Sequence, residues 1–216
     1  MPYVISDTDF VFPYEIPLLK DMNAKASAEV NALIDEKCRL LLRRVLGIQN
    51  FIEFSGYLVD GLLPDPPTLV PQKWVDFVEG VENYELESTL YSYAGLKRIL
   101  VKYVYYYWLE MSVSYLSGVG AVNAEAKNAN KHNPTQELTK TWLAFMQDYQ
   151  GSYRYGTPVG NVYHVGVPQI DGYYVGYPFL DTEASLVQYL SQFPTEYPDC
   201  ELSPLNYEGI TNQLGI

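Results

Sequence analysis

Apolar residues recur every three or four positions along three stretches of this chain, with polar residues between them. That spacing places the apolar side chains on one face of an α-helix. It predicts three long helices, over 17–46, 92–117 and 134–150. Gly47 is a typical residue at a helix end, and Pro134 is a typical first residue of a helix. The pattern therefore predicts a mainly α fold, a helical bundle, whose core includes Val30, Leu33, Leu41, Val101, Trp108, Leu138 and Trp142.

Shorter elements are predicted outside these three helices. One short helix is expected from Pro71 to Gly80, and another over 181–193. Residues 81–90 alternate weakly in polarity, which favours a short strand. The side chains expected to face inward on the two short helices are Trp74, Phe77, Val78, Leu186, Tyr189, Leu190 and Phe193.

The composition of the chain changes at Gly151. Residues 151–216 hold one basic residue, Arg154, with seven acidic residues, eight Gly and six Pro. Gly and Pro at this density interrupt helices and long strands, so this part is not expected to build a core alone. It also holds nine tyrosines, whose rings need a surface to pack against. We therefore predict an extended N-terminal segment (1–16), a helical bundle domain (17–150) and an extended C-terminal arm (151–216) with short strands and one short helix.

Aromatic residues form 15% of the chain, and 21 residues are tyrosines. Tyrosine suits interfaces because its large apolar ring carries a hydroxyl that tolerates water, although part of these tyrosines is expected simply to pack in the core. The run from Tyr105 to Trp108 surrounds its helix, since consecutive helical positions point about 100° apart. One side of that helix is therefore expected to lie against another subunit. The candidate subunit-interface residues are Tyr105, Tyr106, Trp108, Tyr153, Tyr155, Tyr163, Tyr173, Tyr174 and Tyr177.

The formal net charge of −12 argues against nucleic-acid binding, because affinity for phosphate backbones comes from clustered Lys and Arg. Basic residues cluster only on two predicted helices, where we expect solvated or salt-bridged faces: Lys37, Arg39, Arg43, Arg44, and Lys97, Arg98, Lys102. No apolar run reaches about 18 residues, so no membrane span is predicted. The N-terminus has neither the basic nor the apolar region of a signal peptide.

Residues that carry catalysis or hold metals are scarce. The two histidines, His132 and His164, have no nearby Cys or acidic residue at metal-ligand spacing. Phosphate-binding loops, nucleophile elbows and dinucleotide-binding glycine motifs are absent from the sequence. We therefore expect a protein that is not an enzyme and that binds no metal or cofactor. Cys38 and Cys200 are expected to be free thiols.

The helical layout over 17–150 resembles the head-to-tail connector (adaptor) proteins of tailed bacteriophages, particularly those of crAss-like phages of Bacteroidales. The resembling features are the long first helix ending at Val45-Leu46-Gly47, the short Trp74 helix, Tyr93-Ala94-Gly95-Leu96-Lys97 before an aromatic helix, the break at Gly118-Val119, and the helix through Trp142.

This resemblance implies a virion structural protein that assembles in the host cytoplasm and resides in the virion neck, between capsid and tail. It implies a homo-oligomeric ring of twelve copies beneath the portal protein, in contact with other neck and tail proteins. DNA would pass through the ring without specific binding, and the acidic charge of the chain would favour sliding. The family has no catalytic motif to transfer to this chain.

Two other functional classes stay open. A glycan- or ligand-binding module would stack a sugar on exposed aromatic residues of the arm, such as Tyr173 or Tyr177. An enzyme with an unrecognised carboxylate site would need a deep pocket that holds two close acidic residues.

Overall fold

Most of the described residues lie in α-helices, so the fold is mainly α with a small sheet. The structure is a computed structural model that describes residues 3–16, 24–67, 69–86, 89–118, 134–151, 169–170, 173–174, 183–200 and 202. The helices of this part are α1 (Ala24–Ser55), α2 (Gln72–Glu79), α3 (Leu96–Gly118), α4 (Pro134–Gln150) and α5 (Leu186–Gln192). The strands are β1 (Val81–Leu86), β2 (Thr89–Tyr93), β3 (Gln169–Ile170), β4 (Tyr173–Tyr174) and β5 (Glu183–Ala184).

Helix α1 is kinked at Gly47, where φ is 68°. The sequence predicted that the helix would end here, but a second helical piece continues to Ser55. A Cβ atom at Gly47 would lie 2.6 Å from the carbonyl oxygen of Asp199, so this position requires glycine for both its backbone conformation and its space. The predicted part of the helix before Ala24 lies outside the described residues.

Helix α2 is present where the sequence predicts it, but two strands, β1 and β2, follow it where the sequence predicted one short strand over 81–90. The strands pair antiparallel, and β2 also pairs with β5 in parallel, with Tyr93 opposite Ala184. The second long helix was predicted to begin at residue 92, but Ser92 and Tyr93 belong to β2 and α3 begins at Leu96. Gly95, with φ of 89°, makes the turn between them. Strand pairing with β5, which is distant in sequence, explains why a local pattern missed this boundary.

The core forms where α3 packs between α1 and α4. Six of the seven predicted core residues are buried, whereas Trp108 is only half-buried. Trp74, Phe77 and Val78 are buried on α2 as predicted, as are Leu138 and Trp142 on α4, where Phe145 and Tyr149 are buried as well. The N-terminal segment also contributes: it includes a short 3-10 helix at Asp7–Asp9, and it buries Tyr3, Val4, Ile5, Phe10 and Ile16.

The described end of the predicted C-terminal arm belongs to the same core. Helix α5 begins at Leu186, later than predicted, because Glu183 and Ala184 form β5 and Ser185 caps the helix through a hydrogen bond from the Gln188 N–H. Leu186, Val187, Tyr189 and Leu190 are buried, and α5 packs against α4. The expectation of an arm that lies outside the helical domain is therefore wrong for residues 183–200. Further upstream in the arm, β3 and β4 pair antiparallel.

Candidate functional site

A small polar cleft of about 80 Å³ opens where four segments meet. The turn at Tyr93–Gly95 and the first turn of α3 form one wall. The end of α4 and the β5–α5 connection form the other. Its charged side chains are Arg98, Asp148 and Glu183.

Arg98 is the centre of the charge arrangement in this cleft. Its guanidinium donates to both carboxylate oxygens of Asp148, at 2.9 and 3.1 Å, and to Glu183 at 2.5 Å. Lys102, which is buried, also donates to Asp148. Partial desolvation disfavours the charged guanidinium, but the two carboxylates outweigh it and raise the pKa of Arg98. Two cations and two anions thus neutralise one another and link α3 to α4 and β5.

Tyr93 closes the inner side of the cleft region. Its ring stacks on Tyr189 with centroids 4.2 Å apart, and its buried hydroxyl has no hydrogen-bond partner among the described residues. Burial raises the pKa of Tyr93 well above its usual value, so the hydroxyl stays protonated. Because the charged side chains of the cleft are already paired with one another, the cleft is suited to holding α3, α4 and β5 together.

The predicted basic clusters are largely salt-bridged, as expected. Besides the pairs in the cleft, Arg39 contacts Asp35 at 2.7 Å and Lys97 contacts Glu79 at 2.7 Å. Arg43 and Arg44 differ: both are exposed, and neither forms an ion pair among the described residues. Both cysteines are free thiols, with Cys38 buried and Cys200 half-buried.

Two of the three candidate interface residues on α3, Tyr105 and Tyr106, are covered by this chain itself. Tyr106 is buried against Trp142, with ring centroids 4.9 Å apart. Tyr105 is buried between Tyr14, at 5.6 Å, and Trp108, at 5.5 Å. Burial of Tyr105 and Tyr106 therefore needs no second subunit, and half-buried Trp108 is the member that keeps contact with solvent.

The other candidate interface residues belong to the arm. Tyr173 and Tyr174 form β4 and pair with Ile170 and Gln169. The remaining ones lie outside the described residues: Tyr153, Tyr155, Tyr163 and Tyr177.

Three aliphatic residues of α1, on the two sides of its kink, are exposed, which the sequence analysis missed. Leu40, Ile48 and Ile52 are 56%, 48% and 60% exposed. These three residues fall outside the buried stripe of α1, which holds Cys38, Leu41, Leu42 and Val45. Apolar residues away from that stripe could have indicated exposed positions. We call Leu40, Ile48 and Ile52 the outer α1 surface.

Among the described residues, no group of His, Cys, Asp and Glu side chains is arranged to hold a metal ion. No helix in the described ranges has the length and apolar character needed to cross a membrane. No protein-family model, curated protein or solved structure matches this chain.

Proposed function

We propose that this protein is a virion structural protein, a head-to-tail connector subunit that forms a ring beneath the portal and part of the DNA conduit joining capsid to tail. In this proposal the protein acts by assembly and not by catalysis. Helices α1, α3 and α4 serve as the helical bundle, and the tyrosine-rich arm contacts neighbouring neck and tail proteins. The resemblance in helical layout over 17–150 supports this assignment.

The observation that carries the proposal is the outer α1 surface. Its three large aliphatic side chains are about half exposed or more, on both pieces of one kinked helix. Single exposed apolar residues are common, but several on one helix favour a surface that is covered in an assembly. An interface core of this kind is apolar, with charged residues at its rim, and the exposed Arg43 and Arg44 lie beside it on α1.

The charge of the chain supports the conduit role. A net charge of −12 repels DNA, so a ring built from this chain would let DNA pass without holding it.

The test is a deletion and complementation experiment in the phage that encodes the chain. We expect deletion to give capsids that contain DNA but lack tails, as counted by electron microscopy and genome protection from nuclease. A plasmid copy of the natural chain should restore tails. A copy with Leu40→Ser, Ile48→Ser and Ile52→Ser should not restore them, although it should fold.

A matched control replaces exposed aliphatic residues elsewhere, with Leu69→Ser and Leu143→Ser, which are 89% and 62% exposed. This variant should restore tails as well as the natural chain. Normal tailed particles after deletion, or absence of the protein from the neck of purified virions, would exclude the connector role.

A further inference from the structure

Two exposed cations sit unpaired beside the outer α1 surface. Arg43 and Arg44 lie between Leu40 and Ile48 in the sequence of α1, whereas neighbouring Lys37 and Arg39 already pair with Glu36 and Asp35. In the described part of the chain, no carboxylate lies within salt-bridge distance of Arg43 or Arg44. Two unpaired guanidiniums beside aliphatic side chains match a partner with two carboxylates beside an apolar residue.

The same chain carries such a surface on the β1–β2 hairpin. Glu85 and Leu90 are cross-strand partners and therefore share one face. Leu90 is 60% exposed, and Glu82 and Glu85 are exposed without ion pairs among the described residues. The strand pairing is irregular between Val81 and Tyr84, so regular alternation does not assign Glu82 to the face of Tyr84. We call Glu82, Glu85 and Leu90 the hairpin surface.

The hairpin surface points away from the core. Tyr84 and Tyr91, the neighbouring cross-strand pair, stack on each other, and Tyr84 contacts Tyr189 and Phe193 of the α5 region. Since successive strand residues alternate between faces, Glu85 and Leu90 face the opposite way. Helix α1 instead packs on α3, so the two complementary surfaces belong to different parts of the molecule.

We propose that the outer α1 surface with Arg43 and Arg44 binds the hairpin surface of a second copy of this chain. The contact joins two different surfaces, so it repeats from copy to copy and either closes into a ring or grows into a filament. Closure into a ring, as opposed to a filament, rests on the proposed function. Nucleic acid is the less suitable occupant, because the chain carries a net charge of −12 and only two unpaired cations lie at this surface.

The experiment measures self-association of the purified full chain by analytical ultracentrifugation and native mass spectrometry. The natural chain should form oligomers that weaken as salt concentration rises, because surface ion pairs are screened. The pair Arg43→Glu and Arg44→Glu should raise the concentration for half-association about tenfold or more. Glu82→Lys with Glu85→Lys should do the same. The first variant makes the chain more acidic and the second less acidic, so a shared loss excludes net charge as its cause.

Two further samples test whether the outer α1 surface and the hairpin surface bind each other. A chain with all four substitutions should regain the oligomers of the natural chain. An equal mixture of the two double variants should also regain larger oligomers, in which the two variants alternate, because both surfaces of one variant are opposite in charge to the surfaces they meet on the other. Lys140→Glu is the control and should associate normally, since Lys140 is exposed on α4 and forms no ion pair among the described residues.

A natural chain that stays monomeric, or double variants that associate like it, overturns the proposed contact. Capture of a different protein by the outer α1 surface, with no self-association, also overturns it. Those results leave the connector role to be judged by the tail-assembly experiment, since a connector ring could close through other surfaces. If the connector proposal alone were wrong, the purified chain would form normal oligomers, and deletion of the chain would leave the tails of the particles unchanged.

Discussion

Two aromatic clusters in this protein differ in how completely they are buried. The Trp74 cluster joins Phe54, Trp74, Phe77 and Tyr197, with ring centroids 5.2 to 5.9 Å apart and every member almost fully buried. The α3 aromatic cluster joins Tyr14, Tyr105 and Trp108 at similar spacing, but Trp108 and Tyr14 are only half-buried. Similar rings at similar distances thus occur in two different environments.

The difference comes from the chain segments that surround each cluster. The Trp74 cluster draws on α1, α2 and the 193–200 segment, and its polar atoms have partners. The Trp74 indole N–H donates to Glu53 at 3.0 Å, and the Tyr197 hydroxyl donates to the Lys73 carbonyl at 2.6 Å. The hydrogen bond from Lys73 lowers the pKa of Glu53, so its carboxylate remains an acceptor. The α3 aromatic cluster joins α3 to the N-terminal segment, and its members Tyr14 and Trp108 stay half-buried.

The largest expected effect is on Trp74. Trp74→Ala should lower the free energy of unfolding by about 3–5 kcal/mol, because it leaves a large cavity in a fully buried cluster. Trp108→Ala should lower it by about 1–2 kcal/mol, since much less apolar area is lost. Urea denaturation followed by circular dichroism measures both. Equal losses for the two variants would contradict the difference between the clusters.

A smaller effect is expected at Gly47, where the kink of α1 admits the turn that carries Tyr197 into the Trp74 cluster. Gly47→Ala should cost about 1–3 kcal/mol, because an L-residue at positive φ is strained and its Cβ would clash with the Asp199 carbonyl. Gly56→Ala is the matched control, since its nearest neighbour is at 3.3 Å and its φ is not positive. Thermal unfolding should separate the two variants, and indole fluorescence should change only in Gly47→Ala. Indistinguishable melting curves would refute the role of the kink.

The smallest expected effect concerns hydroxyl groups. Tyr197→Phe should cost about 0.5–1.5 kcal/mol, because the Lys73 carbonyl loses its donor. Tyr105→Phe should change stability by less than about 0.5 kcal/mol, because no described group hydrogen-bonds to its hydroxyl. Urea denaturation measures both variants: at equal dependence of the unfolding free energy on urea concentration, the midpoint concentrations give the difference in stability. A larger loss of stability for Tyr105→Phe than for Tyr197→Phe would contradict the hydrogen bond assigned to the Tyr197 hydroxyl.

The helices that bury a single face could be predicted from the sequence. The stripes on α1, α2 and α4 identified residues that are buried, and Gly80 and Gly151 end helices as their type indicates. The predictions were wrong where distant segments meet. Gly47 produces a kink because the 198–200 turn fits there, and residues 92–93 form a strand because β5 pairs with it.

The candidate site was less predictable than the fold. Aromatic composition indicated Tyr105 and Tyr106 as interface residues, yet Tyr14 and Trp142 of the same chain cover them. The outer α1 surface was missed, because Leu40, Ile48 and Ile52 look like ordinary helix residues in a one-dimensional pattern. The exposure of a side chain depends on which other segments pack against it. The periodicity of apolar residues in one helix contains no information about those segments.

The sequence by itself determined the local properties of this protein: the helical character of its long segments, the inward faces of α1, α2 and α4, and the acidic charge. These follow from side-chain spacing and composition, which act within a few residues along the chain. Only the tertiary structure decided that residues 183–200 complete the core and that Arg98 is neutralised by Asp148 and Glu183. It also decided that Arg43 and Arg44 have no ion-pair partner in the described part of the chain. Those outcomes depend on contacts between segments far apart in the chain, and such contacts exist only once the segments pack.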